Sequence, residues 1–424
     1  MKKITYDNIG INVYKHTCKN GLEVYLVPNK NVKSFFATLN VKYGSDILKF
    51  KLNGKTIKIP VGSAHFLEHK MFEQESGVTP FEFYSSLGID CNASTNNKKT
   101  DYIFSGSSSF EESLEYLLDY VGAPYFTDSN VKKEKGIIKQ EILMYEDDPG
   151  QKLYDRSLYN AYFKNPVRYS VGGKVSDIMK ITKEDLYNIY NAFYQPKNMF
   201  LVVTGNIDVK KTIDLVEKNQ SKKELINNQV EIITETEKPE IRKKYEEIFD
   251  NVVISKFAIN IKINIKELKE KIPNYSKYLS FFLETTLGNT SKLKEELTKK
   301  GLITYDVSSE IINANDYSSI IIMGETDKYE ETIKYILKSL KKHKFDSKEF
   351  NLNKKLLKSY YVYTSDNIYS TNALIVNQIM VHNKINEKIY LDVDKMNKEE
   401  YNYVVSQVDF DNYGVVVIKP KIKK

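Results

Sequence analysis

The chain of 424 residues divides into two halves that carry a comparable order of predicted strands and helices. In the first half, strand-like segments at 22–28 and 34–44 precede a helical segment that starts within 61–69. The second half begins again with a strand at 252–261 and closes with one at 415–418. This repetition predicts a diverged internal duplication: an α+β fold of two similar domains, each a mostly antiparallel sheet with helices packed on it.

The boundary between the two domains is predicted where a strand is followed by polar sequence. The apolar strand at 199–206 is ended by Gly205, and the polar stretch that comes later has no steady period. We therefore expect an N-terminal domain at 1–220, a linker at 221–243 and a homologous C-terminal domain at 244–424.

Further elements of the first half follow from local patterns. Residues 110–121 are strongly amphipathic, and 129–146 form a second predicted helix that stops before Pro149. Between the earlier helices, CNASTN at 91–96 and YIFSGS at 102–107 are predicted to be adjacent strands.

Composition excludes several classes of protein. The 63 basic residues include only three arginines, and the formal net charge of +7 is spread along the chain. Because no stripe of clustered Arg and Lys occurs, nucleic-acid binding is not expected. The N-terminal lysines are followed by no apolar core of signal-peptide type, and no window resembles a membrane span. The expected location is cytoplasmic, without membrane insertion.

Cysteine and the isolated histidines give weak signals. Cys18 and Cys91 are too few and too far apart for a disulfide framework or a cysteine metal knuckle. His16, His343 and His382 have no ligand partner nearby in sequence, so we expect them to be structural or solvated.

The motif HFLEH places two histidines four positions apart, with a glutamate directly before the second. On a helix, His65 and His69 share one face, so both imidazoles can bind one ion with Glu68 close by. The alternative is an ordinary helix end whose buried stripe includes Met71 and Phe72. The HxxEH pattern is an inverted zinc motif, which favours the metal site.

A catalytic zinc site needs a third protein ligand, and the predicted helix that ends near 146 offers two. Glu134 and Glu141 are seven residues apart, so they project from the same side of the helix. That side is predicted to be apolar, and a carboxylate on an apolar face costs free energy unless it is paired or coordinated. The predicted apolar neighbours on that face are Ile137, Ile138, Leu143, Met144 and Tyr145. Spacing alone leaves the choice between the two glutamates open.

Four motifs in order together resemble the pitrilysin/insulinase family of inverted-motif zinc peptidases, which includes mitochondrial processing peptidase. They are HFLEH at 65–69, NAST at 92–95, EKGIIKQEI at 134–142 with DDP at 147–149, and YQPKNMFLVVTG at 194–205. KGLI at 300–303 and the chain length extend the resemblance over the whole chain, to a small bacterial branch of the YmfH type.

The resemblance implies a role for each residue of the metal site. It implies that His65, His69 and Glu141 bind one Zn²⁺ per chain, and that Glu134 orients a ligand by hydrogen bonding. Glu68 is implied to be the general base, which fits the need for a carboxylate within reach of the attacking water.

The resemblance also implies where a peptide substrate binds. Asn92, Ala93 and Ser94 match the family's edge strand near the zinc, to which an extended substrate adds by main-chain pairing. A simple structural strand is the alternative. Tyr305 matches the tyrosine of a substrate-holding Arg/Tyr pair in the C-terminal half.

One departure from the family pattern concerns that pair. Thr298 stands where the arginine is expected, and no arginine follows Arg242. A lysine does not offer the planar fork of a guanidinium. We therefore expect a heterodimer with a zinc-less homologous subunit that supplies the Arg/Tyr pair, or else a homodimer.

The sequence thus predicts a zinc endopeptidase that hydrolyses small or unfolded peptides. The alternative is a non-catalytic structural or scaffold subunit of the same family that retains a metal site.

Overall fold

The structure is a computed structural model, and it describes residues 1–223 and 227–421. The strands within this part are β1 Lys2–Tyr6, β2 Ile11–Thr17, β3 Glu23–Pro28, β4 Phe35–Val41, β5 Lys49–Leu52, β6 Lys55–Lys58, β7 Asp90–Thr95, β8 Thr100–Gly106, β9 Met199–Gly205, β10 Val230–Ile232, β11 Tyr245–Asp250, β12 Lys256–Asn264, β13 Val307–Ala314, β14 Tyr317–Glu325 and β15 Tyr413–Pro420. The α-helices are α1 Ser63–Met71, α2 Pro80–Ser86, α3 Phe110–Val121, α4 Asp128–Glu146, α5 Pro149–Ala161, α6 Val175–Ile178, α7 Lys183–Phe193, α8 Val209–Gln220, α9 Lys266–Lys271, α10 Tyr275–Leu287, α11 Lys292–Lys299, α12 Tyr329–Lys341, α13 Ser347–Ser365, α14 Ile368–His382, α15 Ile389–Lys395 and α16 Lys398–Ser406.

The chain forms two compact units, and neither is a continuous segment. The first consists of Met1–Ile142, Ser170–Thr234 and Lys358–Leu391. The second consists of Leu143–Tyr169, Glu235–Leu357 and Asp392–Lys424.

These units differ from the predicted division at 1–220, 221–243 and 244–424 in two segments. Residues 143–169 belong to the second unit and residues 358–391 to the first. The predicted linker includes residues 224–226, and the predicted C-terminal domain includes residues 422–424, which lie outside the described residues. Part of the predicted linker is ordered as β10, which pairs with β5.

The first unit contains a seven-stranded sheet in the order β1-β2-β3-β9-β4-β8-β7. All neighbours in it are antiparallel except β3 and β9, which are parallel. Every residue of β9 is buried, in keeping with its unbroken apolar sequence. A second sheet of three strands has the order β10-β5-β6.

The second unit contains a five-stranded sheet in the order β11-β15-β12-β14-β13. Its first pair is parallel and the other pairs are antiparallel. The same arrangement occurs in the first unit as β3-β9-β4-β8-β7, and the equivalent strands follow one another in the same order along the chain. This shared topology supports the predicted duplication, and the predicted α+β class is confirmed.

The seven-stranded sheet and the five-stranded sheet each pack against a helix from the opposite half of the sequence. In the first unit, Asn372 of α14 donates to Val202 O of β9 at 3.1 Å and lies 2.9 Å from Thr38 Oγ1 of β4. In the second unit, Leu153 of α5 packs with Ala258 of β12 in one apolar cluster. This exchange of helices makes both units discontinuous.

The predicted helix at 110–121 corresponds to α3, and the one at 129–146 corresponds to α4. The predicted adjacent strands correspond to β7 and β8, which pair antiparallel. No helix among the described residues is both long and apolar enough to cross a bilayer.

Candidate metal centre

Helix α1 carries both histidines of the HxxEH motif and begins directly after a glycine in the left-handed region. Gly62 has φ of 89°, and a Cβ there would lie 2.5 Å from Gly172 O, so only glycine fits. Phe66, Leu67 and Met71 pack into the core of the first unit. The burial of these three side chains fixes the rotation of the helix, which places the histidines on another face.

His65 and His69 lie side by side on that face. Their ring centroids are 4.6 Å apart at an angle of 64°, as expected for neighbours one helical turn apart. The two side chains are 16% and 26% exposed, so both rings are largely shielded and remain accessible at one edge.

Helix α4 supplies the two candidate carboxylates. Its buried residues include Val131, Glu134, Ile138 and Ile142, at the spacing of one helical face. Glu134 is 8% exposed, whereas Glu141 is only partly buried.

The predicted apolar face of this helix is wrong in part. Ile137, Leu143, Met144 and Tyr145 are exposed in the structure, and only Ile138 of the predicted set is buried. The cause is that an apolar run of consecutive residues winds around the helix, so most of its members leave the buried face.

The ligand atoms of His65, His69 and Glu141 converge. Glu141 Oε1 lies 3.5 Å from His65 Nε2, and Glu141 Oε2 lies 3.5 Å from His69 Nε2. One atom from each residue can be chosen so that all three lie within 4.8 Å of one another. Ligands held about 2.0–2.1 Å from a tetrahedral zinc are about 3.3 Å apart, so the spacing fits that ion.

Glu134 contacts the second nitrogen of a histidine instead of joining the three converging atoms. His69 Nδ1 lies 3.1 Å from Glu134 Oε1. A carboxylate accepts hydrogen bonds, so Nδ1 carries the hydrogen and Nε2 keeps its lone pair for a cation. Lys70 Nζ lies 4.0 Å from Glu134 Oε2 and also contacts Glu73. The positive charge of Lys70 balances the charge of the buried Glu134 carboxylate.

Glu68 lies on α1 between the two histidines and is 8% exposed. Thr95 Oγ1, at the end of β7, donates a hydrogen bond of 2.6 Å to Glu68 Oε2. This bond fixes the carboxylate and leaves the other oxygen, Oε1, for a further partner. Burial raises the pKa of Glu68 above its usual value despite this hydrogen bond, which makes the carboxylate a stronger base.

The two histidines titrate differently. Burial and the neighbouring His69 lower the pKa of His65 to about 4, so its ring is neutral, the form that binds metals. Burial disfavours the charged form of His69, but the carboxylates of Glu134, Glu68 and Glu141 outweigh it and raise the pKa of His69. A negative environment of this kind favours a cation.

The predicted substrate-binding residues lie in two different places. Strand β7, with Asn92, Ala93 and Ser94, is the last strand of the seven-stranded sheet and pairs on one side with β8. Its residues alternate between exposed and half-buried. Tyr305 lies in the second unit, between α11 and β13, and is 74% exposed.

Sequence reasoning missed two residues of the site. Thr95 belongs to the NAST motif and shares β7 with the three residues before it, which is the signal that the sequence offers. Lys70 is fully buried, and its position directly after His69 was the only available signal.

The donor set as a whole fits zinc. Two imidazole nitrogens and one carboxylate form the ligand group of a catalytic site, which leaves a fourth position open. His65 Nδ1 is buried without a hydrogen-bond partner among the described residues, so this ring is held by packing.

Comparison with known proteins places the chain in a family. Residues 58–174 match the description "Insulinase (Peptidase family M16)", and residues 180–357 match "Peptidase M16 inactive domain". The chain is 37% identical over 331 residues to the protein named uncharacterized zinc protease YmfH of Bacillus subtilis, covering 77% of each chain. It is 25% identical to uncharacterized zinc protease YmxG of the same organism, over 96% of this chain and 98% of that one.

A solved structure extends the likeness to the whole fold. An M16-like peptidase from Alicyclobacillus acidocaldarius superposes with a TM-score of 0.91 and 26% identity, covering 97% of this chain and 99% of that one. The fold and the site together are those of a zinc-peptidase class. The chain belongs to peptidase family M16, the insulinase family, as its motifs predict.

Proposed function

We propose that the chain is a cytoplasmic zinc-dependent endopeptidase that hydrolyses small or unfolded peptides, with Glu68 as its general base. The convergence of His65, His69 and Glu141, with Glu68 on the same helix, carries this proposal. The zinc proteases among its relatives support the class of reaction.

Each residue of the site has a distinct task in this proposal. Zinc, when bound by the two imidazoles and Glu141, supplies a Lewis acid for water and for the peptide carbonyl. Glu68 takes the proton from the attacking water and later delivers it to the leaving amine. Thr95 holds one oxygen of Glu68, so the other oxygen is the one that exchanges the proton.

The substrate is proposed to bind as an added strand at the open edge of β7. Main-chain groups of Asn92, Ala93 and Ser94 would pair with an extended peptide. In this mode the protein recognises the main chain of the peptide more than its side chains, and the bound segment of the peptide must be extended. Small or unfolded peptides meet that requirement.

Replacement of Glu68 by glutamine tests the proposed base. Glu68→Gln removes the base and leaves the ligands, so we expect retained zinc and a loss of kcat of at least about 100-fold. Zinc content and cleavage of an unstructured peptide measure the two effects.

Glu112→Gln, at an exposed position of α3, is the matched control and should leave both unchanged. Full activity in Glu68→Gln would refute the assignment of the base.

The substrate-holding arginine is proposed to come from another subunit. Thr298 is exposed on α11, where its hydroxyl donates to Lys294 O at 2.9 Å. The three arginines of the chain all lie over the ring of one residue, Tyr159, at 4.2–5.2 Å from guanidinium carbon to ring centroid. All three arginines therefore pack within the second unit.

We therefore propose a heterodimer with a zinc-less homologue that supplies an Arg/Tyr pair, and a homodimer as the fallback. Mixing the chain with such a homologue should raise peptide cleavage, and mass measurement by light scattering should show a one-to-one complex. Full activity of the monomeric chain would contradict the partner proposal and leave the zinc chemistry intact.

A non-catalytic scaffold subunit is the second candidate, because position 298 lacks the arginine. It predicts bound zinc without peptide cleavage in any mixture with the homologue.

A further inference from the structure

A second group of potential metal ligands lies in the first unit, on elements other than α1 and α4. It consists of His16 on β2, Cys18 directly after β2, and Glu217 on α8. One ligand atom from each residue lies within 4.8 Å of the others, the same limit that the HxxEH site meets. We propose that these three side chains form a second binding site for a zinc-class divalent cation.

The strand geometry explains how two of the ligands come together. Side chains two residues apart on extended chain point to the same side, so His16 and Cys18 can face one helix. Cys18 is 3% exposed and joins the apolar core of the unit. His16 Nε2 lies 2.6 Å from Glu217 Oε1, across 201 residues of sequence.

Neighbouring contacts hold the strand end against the last turn of α8. Asn20 Nδ2 donates to Gln220 Oε1 at 2.9 Å, and both residues are buried. Gln220 in turn donates to Asn219 Oδ1 at 2.9 Å. The ligands are therefore carried by elements that are already fixed relative to each other, which lowers the cost of assembling a site.

The remaining adjustment is small. Ligands of a tetrahedral zinc lie about 3.3–3.5 Å apart, so the His16–Glu217 pair, now at 2.6 Å, must open by about 0.7–0.9 Å. The Glu217 side chain is 29% exposed and lies near the end of its helix, which leaves it room to turn.

The donor types select the class of cation. Thiolate and imidazole suit zinc and similar transition metals, whereas Mg²⁺ and Ca²⁺ prefer oxygen ligands. The Cys18 sulfur and the His16 imidazole therefore favour a zinc-class ion.

The expected consequence is a brace between β2 and α8 that is separate from the peptidase chemistry. It would raise the number of cation sites above the one per chain that the sequence predicts. The sequence alone predicts that His16 is structural or solvated, because its partner Glu217 is distant in the chain and is brought near only by the packing of α8.

Cobalt titration of the full-length chain tests the site. The HxxEH site contains no sulfur, so a sulfur-to-cobalt charge-transfer absorption reports the second site alone. We expect this band in the wild-type chain and in His65→Ala, where the first site is disabled. Cys18→Ala should abolish the band, whereas the matched control Cys91→Ala should retain it.

Absence of the band in the wild-type chain, or its loss in Cys91→Ala and not in Cys18→Ala, would overturn the proposal. If Cys18→Ala fails to fold, Glu217→Gln decides the matter in the His65→Ala background. We expect the cobalt affinity of this variant to fall more than about 100-fold, because loss of an outer-shell partner alone lowers metal affinity about 10–100-fold. Unchanged affinity would mean that His16 and Glu217 form only a hydrogen-bonded pair beside a buried thiol and bind no metal.

Discussion

Glu134 and Glu141 show how two identical side chains on one helix make different contacts. Glu134 is held within the buried stripe of α4, 3.1 Å from His69 Nδ1. Glu141, two turns later, reaches both imidazole Nε2 atoms at 3.5 Å. The sequence alone left this choice even, and the distances favour Glu141 as the ligand and Glu134 as the residue that orients His69.

Alanine variants of the two glutamates rank them by zinc retention. Glu141→Ala should lose stoichiometric zinc at the HxxEH site, as should His65→Ala. Glu134→Ala should keep most of the zinc with an affinity about 10–100-fold lower and with reduced activity. Zinc measured by mass spectrometry in the Cys18→Ala background reports this site by itself. Full zinc retention in Glu141→Ala would reassign the third ligand.

At the scale of elements, sequence patterns predicted the helices and strand pairs that depend on residues close together in the chain. The bounds of α3 and the pairing of β7 with β8 follow from amphipathic periodicity and from a short turn between strands. The spacing of His65 and His69 likewise needs only a helix. Thr95 and Glu217 were missed because their partners are brought together by tertiary packing.

The polar stretch predicted to be a linker contributes Glu237 to a buried ion pair with Lys262 of β12, which no local pattern shows. Glu237 accepts hydrogen bonds from the backbone N–H groups of Phe163, Lys164 and Asn165 and from Lys262 at 2.7–2.9 Å. Burial alone would raise the pKa of Glu237, but the Lys262 ammonium and the three N–H groups outweigh it and lower the pKa to about 2.

Glu237→Gln should therefore destabilise the second unit. Lys262 would be left as a buried charge without its carboxylate, which costs about 3–5 kcal/mol. Glu235→Gln is the matched control, because its side chain is 55% exposed and should change little. Urea unfolding measures both.

The pH dependence of that loss follows from the lowered pKa. Glu237 stabilises the fold above its ordinary pKa of 4.5, and this contribution is lost as the pH falls toward about 2. The difference in unfolding free energy between wild type and Glu237→Gln should shrink at about pH 3. An equal difference at neutral and acid pH would contradict the ion-pair account.

At the scale of the whole molecule, one sheet topology is used twice and only one copy carries the metal motif. In the first unit, α1 lies in the chain between β4 and β7, the equivalents of β12 and β13. The corresponding segment of the second unit contains α10, which buries Tyr278, Leu279 and Phe282 and has no histidine. The match of residues 180–357 to an inactive-domain description agrees with this difference.

The duplication could be predicted from the order of elements, but the exchange of α5 and α14 between the halves could not. A helix pattern shows that one face must be buried and does not say against which sheet. The choice depends on contacts such as that of Asn372 with Val202, 170 residues away in sequence.

An anomalous difference map at the zinc edge, from crystals of the zinc-loaded chain, tests the central claim most directly. The account predicts a peak about 2.0–2.2 Å from His65 Nε2, His69 Nε2 and a Glu141 carboxylate oxygen. Zinc-loaded crystals that show these three side chains clearly and hold no peak between them would contradict it.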